Sequence, residues 1–72
     1  MTKPVTYHNP PAQCDICAGH ISSVFYDAKL PAYGSWANLC HSCFTDMRCS
    51  LGTGKGQKYV NDGTGKFVKV EG

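Results

Sequence analysis

Two Cys-x-x-Cys pairs, Cys14–Cys17 and Cys40–Cys43, with 22 residues between them, constrain this chain more than any other feature. A two-residue gap lets a tight turn or a helix start aim two thiolates at one point. Two such units complete a tetrahedral zinc site with Zn–S distances of about 2.3 Å. A redox pair would belong at a strand–helix junction of a much larger βαβ fold, and 72 residues leave no room for one. A disulfide framework is disfavoured: the cysteines number five and no export signal is visible. Four thiolates leave no open coordination position, so one structural Zn2+ is expected and catalysis at the metal is not.

Length makes the same point. A core drawn from 72 residues barely offsets the conformational entropy lost on folding, so chains this short often need a staple. Zinc supplies about 10–16 kcal/mol of folding energy in such domains. His20 and His41 lie close to the pairs and are alternative ligands, but the spacing is complete without them. Their expected role is on the surface or in support of the ligands. If residues 40–51 are helical at about 100° per residue, Cys40, Cys43, Phe44, Met47 and Leu51 share one stripe, and Cys49 falls on the opposite side. Cys49 is then a spare thiol or part of a partner surface.

Around the pairs, the chain divides into three stretches. Residues 1–13 hold three prolines and no periodicity, which predicts an extended N-terminal arm. Val5, Tyr7 and His8 on that arm are the candidate partner-binding residues. Residues 14–52 form the four-cysteine finger. Cys14 to Cys17 makes a knuckle, residues 20–28 are rich in β-branched and aromatic residues and read as a strand, and residues 35–39 read as a short second strand leading into the second pair. A helix then runs from about residue 40 to a stop at Gly52. Trp36, the largest apolar side chain, is expected to pack over the knuckle. This order predicts a small zinc-stabilised α+β domain with a treble-clef-like finger. Residues 53–72 form a glycine-rich basic loop and a C-terminal β-hairpin that turns at Asp62-Gly63.

That last stretch carries Lys55, Lys58, Lys66 and Lys69, interleaved with Tyr59 and Phe67. Basic and aromatic residues in this arrangement suit RNA or single-stranded DNA, and they serve equally as a solvated strand face. Gly52-Thr53-Gly54-Lys55-Gly56 does not match G-x-x-x-x-G-K-[ST], and no strand–loop–helix unit surrounds it, so an ATPase is not expected. The finger lacks the histidines of a treble-clef nuclease, and no nucleophile–base or paired-carboxylate arrangement stands out. The chain is therefore not expected to be an enzyme. No run of about 18 apolar residues is present, so a membrane span is not expected either.

With Cys14–Cys17, Trp36, residues 39–43 (Leu-Cys-His-Ser-Cys) and residues 51–59 (Leu-Gly-Thr-Gly-Lys-Gly-Gln-Lys-Tyr) in view, the chain resembles small phage-encoded four-cysteine zinc-finger proteins. The resemblance covers residues 14–60, and its more particular part is the Leu-Gly-Thr-Gly-Lys-Gly-Gln block. Its size, proline-rich arm and tail are similar to those of phage-encoded regulators that bind RNA polymerase. The resemblance implies a transcription regulator in the host bacterial cytoplasm. Such a protein contacts bacterial RNA polymerase, inhibits initiation and permits antitermination. A monomer is expected.

Charge is polarised rather than strong. Seven Lys and Arg against five Asp and Glu give +2. Four zinc-bound thiolates with one Zn2+ carry two net negative charges, which cancels that excess. Lys3 and Lys29 face Asp15, Asp27 and Asp46 in the first two thirds, whereas Arg48 and four lysines face only Asp62 and Glu71 in the last third. An acidic zinc body joined to a basic tail is expected to touch a protein with one end. Nucleic acid is a candidate for the other.

Overall fold

The computed structural model describes residues 6–7 and 11–72. Its elements are β1 (Thr6–Tyr7), β2 (Val24–Lys29), β3 (Trp36–Leu39), α1 (His41–Asp46), β4 (Gly56–Asn61) and β5 (Phe67–Glu71). All five strands join one antiparallel sheet in the order β1-β5-β4-β2-β3. The result is a small domain of mostly antiparallel strands with one short helix. Among the described residues no helix is long and apolar enough to cross a membrane.

β2 organises the sheet. Its run Val-Phe-Tyr-Asp-Ala is β-prone, and alternate side chains leave on opposite faces. Tyr26 and Ala28 enter one core with Cys14, Leu30, Ala37, Leu39 and Cys43, against which Val24, Phe44, Met47, Cys49 and Leu51 pack. Phe25 enters a second core on the other face with Ile21, Tyr59 and Phe67, and Tyr7 packs against it. In that core the Phe25 and Tyr59 rings stack at 4.9 Å. The pairing Phe25↔Tyr59 sets them side by side across β2 and β4.

Several expectations are corrected here. The helix ends at Asp46 instead of running to Gly52, because Met47 leaves helical geometry and Arg48 takes φ +57°. Cys49 is consequently not carried to the far side of a helix: it is half-buried against the first core. Trp36 is not a core residue. It is 38 % exposed, since Ala37 and Leu39 take the inward positions of β3 and period-two alternation turns Trp36 outward.

The C-terminal hairpin forms, but through a longer turn than the Asp62-Gly63 pair alone makes. Asn61 Oδ1 accepts from Gly63 N–H and Asp62 Oδ1 from Thr64 N–H, and the loop closes where Asp62 N–H donates to Lys66 O. Opposite Lys58 and Tyr59 the register skips a residue, because Tyr59 pairs Lys69 and Lys58 pairs Glu71. Val70 is therefore the extra residue of a bulge, and it points to solvent at 53 % exposure.

Two residues of the expected extended arm belong to the sheet. Thr6 and Tyr7 form the edge strand β1 against Val68 and Phe67. Tyr7 meets the rings of Phe25 and Tyr59 edge-on at 5.3 and 4.7 Å, and its hydroxyl donates to Asp27 Oδ2 at 3.1 Å. An aromatic side chain with a buried carboxylate acceptor in reach is held by its own sheet. Val5 and His8, the other two arm candidates, lie outside the described residues.

Candidate metal centre

The knuckle is made by its backbone. Cys14 N–H donates to Gly19 O and Ala18 N–H to Cys14 O, both at 2.9 Å. Closing so tight a loop puts Ala18 at φ +60°. It also leaves no room at Gly19, where a Cβ would lie 3.2 Å from Cys17 Sγ. With that close approach, Ile16 N–H donates to Cys14 Sγ and Gly19 N–H to Cys17 Sγ, each at 3.4 Å. The second pair is set by the helix: Cys40 is its N-cap, and Cys43 lies in the first turn, where Phe44 N–H bonds back to Cys40 O.

What brings the two pairs together is Asp15. Its N–H donates to Asn38 O and its Oδ2 accepts from Asn38 N–H, both at 2.8 Å. Asp15 lies between the first two ligands, and Asn38 is two residues before the third. This pair of hydrogen bonds fixes one knuckle against the other, and it occupies both backbone groups of Asn38 on the sheet edge. Nothing in the sequence marks it, because its partners are 23 residues apart.

The four sulfurs lie within 4.8 Å of one another. A tetrahedron with 2.3 Å Zn–S bonds has sulfur–sulfur edges of about 3.8 Å, and Cys17 Sγ and Cys40 Sγ are 3.8 Å apart. The geometry and the all-sulfur donor set are those of a single structural zinc site. Burial works against ionising Cys14, but N–H groups of Cys17, Cys40 and Ile16 outweigh it and bring the thiol down to about 6. Burial and the neighbouring thiols instead push Cys43 up. Repulsion between anionic sulfurs is what a divalent cation relieves.

Neither histidine joins the cluster. His20 is exposed and bridges Gln13. His41 Nδ1 lies 3.0 Å from Tyr26 Oη, and Phe44 stacks on the same tyrosine at 4.1 Å, so these three rings buttress the helix that carries Cys43. Cys49 stays outside the sulfur cluster as well, and burial raises its pKa.

The four candidate lysines do not converge. Lys58 pairs Tyr26 on the face of the first core, whereas Lys69 pairs Tyr59 on the opposite face. Lys55 precedes β4 and Lys66 precedes β5, at opposite ends of a hairpin roughly 20 Å long. Lys58 also faces Glu71, 3.9 Å away.

These features define a zinc-binding domain of the four-cysteine kind. Comparison with protein families, with curated proteins and with solved structures found no match to this chain.

Proposed function

We propose that this protein is a zinc-stapled, non-enzymatic binding module that regulates transcription by contacting bacterial RNA polymerase, the function implied by its resemblance to phage zinc-finger proteins. In this reading it acts in the host cytoplasm as a monomer, inhibiting initiation and allowing antitermination. The observation that carries the module reading is the clustered set of four thiolates. Such a set fills a tetrahedral zinc and leaves no position for substrate, so the metal holds the fold and the surface does the work.

The finger is proposed to be treble-clef-like: the Cys14–Cys17 knuckle, the β2–β3 hairpin, then α1 with Cys43 in its first turn. The hairpin tip presents Tyr33 at 71 % and Trp36 at 38 % exposure, and aromatic side chains of this kind are frequent anchors of protein contacts. Since Tyr7 is engaged with the sheet, the docking segment of the arm reduces to Val5 and His8, with Tyr7 as its anchor. The alternative, nucleic-acid binding through Lys55, Lys58, Lys66 and Lys69, is weakened by their dispersal over both faces.

The test is retention of purified bacterial RNA polymerase on the immobilised zinc-loaded protein at physiological salt. Retention lost on deletion of residues 1–11 or in a Tyr33→Ala/Trp36→Ala variant supports the proposal. No retention of polymerase refutes it.

A further inference from the structure

The Gly-Thr-Gly-Lys-Gly stretch is shaped by its own backbone bonds. Residues 52–56 fold back on themselves: Gly52 N–H donates to Gly56 O, and the N–H groups of Lys55 and Gly56 both donate to Gly52 O. The loop is then fastened to β2, where Lys29 N–H donates to Lys55 O at 2.9 Å. Gly56 makes this closeness possible. A Cβ there would lie 2.6 Å from Ser50 O and 3.0 Å from Ala28 Cβ.

Backbone packing of this kind brings Lys29 and Lys55 to one groove. Lys29, Pro31, Ser50, Gly54 and Lys55 line it, and its volume is about 320 Å³. No carboxylate lines it. Both lysines are exposed, and neither has an acidic partner among the described residues. The Gly54 N–H likewise has no acceptor there. Two exposed cations with no acidic partner, beside a serine and a glycine whose N–H has no acceptor among the described residues, suit a compact, doubly charged anion.

We propose that this groove, between the β2–β3 turn and the Gly52–Gly56 loop, binds a phosphomonoester. Lys29 and Lys55 neutralise its charge, Ser50 and Gly54 donate hydrogen bonds, and Pro31 offers an apolar wall to the group the phosphate carries. The volume admits a small organic group beside the phosphate. Lys58 is not part of the site, and the proposal does not depend on the polymerase reading.

The test is an amide chemical-shift titration of the zinc-loaded protein at constant ionic strength. The probes are inorganic phosphate, adenosine 5′-monophosphate, adenosine, and a short oligonucleotide with and without a 5′-phosphate. Expected are saturable shifts at Lys29, Ser50, Gly54 and Lys55 with the phosphate-bearing probes and none with adenosine. Affinity should fall about tenfold or more in a Lys29→Gln/Lys55→Gln variant. Zinc content and the remaining spectrum show that the variant is folded, and Lys55→Gln alone serves if it is not. Tighter binding of the phosphorylated oligonucleotide than of the mononucleotide assigns the phosphate to a strand end, and the reverse assigns it to a free nucleotide. The proposal is overturned by shifts spread over Lys58, Lys66 and Lys69, by equal binding of the two oligonucleotides, by an unchanged affinity in the variant, or by no saturable shift.

Discussion

Tyr7 gives the sharpest test of how the N-terminal arm relates to the folded body. In Tyr7→Ala the edge-to-face contacts with Phe25 and Tyr59 disappear, and each such pair contributes about 0.5–1.5 kcal/mol. The hydroxyl bond to Asp27 goes too, and a hydrogen bond to a charged group contributes about 1.5–3 kcal/mol when buried. Tyr7 is only half-buried, so that last figure is discounted to about 1 kcal/mol. The expected loss is about 2–4 kcal/mol for Tyr7→Ala and about 1 kcal/mol for Tyr7→Phe, which keeps the ring. For a domain of this size 1 kcal/mol moves Tm by about 4–8 °C. Tyr7→Phe should therefore melt about 4–8 °C lower and Tyr7→Ala about 8–32 °C lower, with zinc saturating in both scans. Asp27→Asn should cost less in the Tyr7→Phe background than alone, because the two share one bond. A Tyr7→Ala protein melting within about 2 °C of the parent would show that β1 is not docked, and the account of the second core would fail.

Other consequences follow from the same packing. Burial first, and Asp27 second, raise the pKa of Tyr7 and Tyr59 above the usual tyrosine value. A raised folded pKa means stability is fully present below about pH 10 and is lost as pH climbs beyond it. Tm measured from pH 8 to 11.5 should fall above 10, less steeply in Tyr7→Phe; a flat profile contradicts the burial of these hydroxyls. Gly56→Ala should destabilise by about 1–3 kcal/mol in urea unfolding, because the new methyl meets Ser50 carbonyl oxygen and Ala28, and neither can swing away. A Gly56→Ala variant as stable as the parent would refute that contact. Cys49→Ser should keep one zinc per chain by native mass spectrometry, since Cys49 lies outside the sulfur cluster. Loss of zinc in that variant would overturn the ligand set.

The metal site was the most legible part of the sequence because it depends on spacing, and each two-residue gap is closed by bonds within its own turn. The first hairpin strand is legible in part: Val24, Phe25 and Tyr26 are β-prone, but the strand starts at Val24, four residues later than the 20–28 run suggests, and β3 (Trp-Ala-Asn-Leu) is marked by alternate burial more than by its residue types. Less was visible where distant residues decide. The stripe of Phe44, Met47 and Leu51 does face the first core, but the helix that was to carry it stops at Asp46 without a glycine to announce the end. Tyr7 looks like a loose arm residue until Phe25, Tyr59 and Asp27 are brought beneath it by sheet pairing. The Asp15–Asn38 clamp and the Lys29–Lys55 groove join residues 23 and 26 positions apart, a separation that no local pattern encodes.

The central claim is that four thiolates and one zinc ion hold this chain in its fold. Its most direct test is to measure zinc per chain and then follow circular dichroism as a high-affinity chelator is added at neutral pH. One zinc per chain is predicted, with loss of strand signal and of dispersed amide resonances in step with metal removal. Cys17→Ser should bring the same loss without chelator. A metal-free chain that keeps its sheet and its dispersed spectrum would contradict the claim.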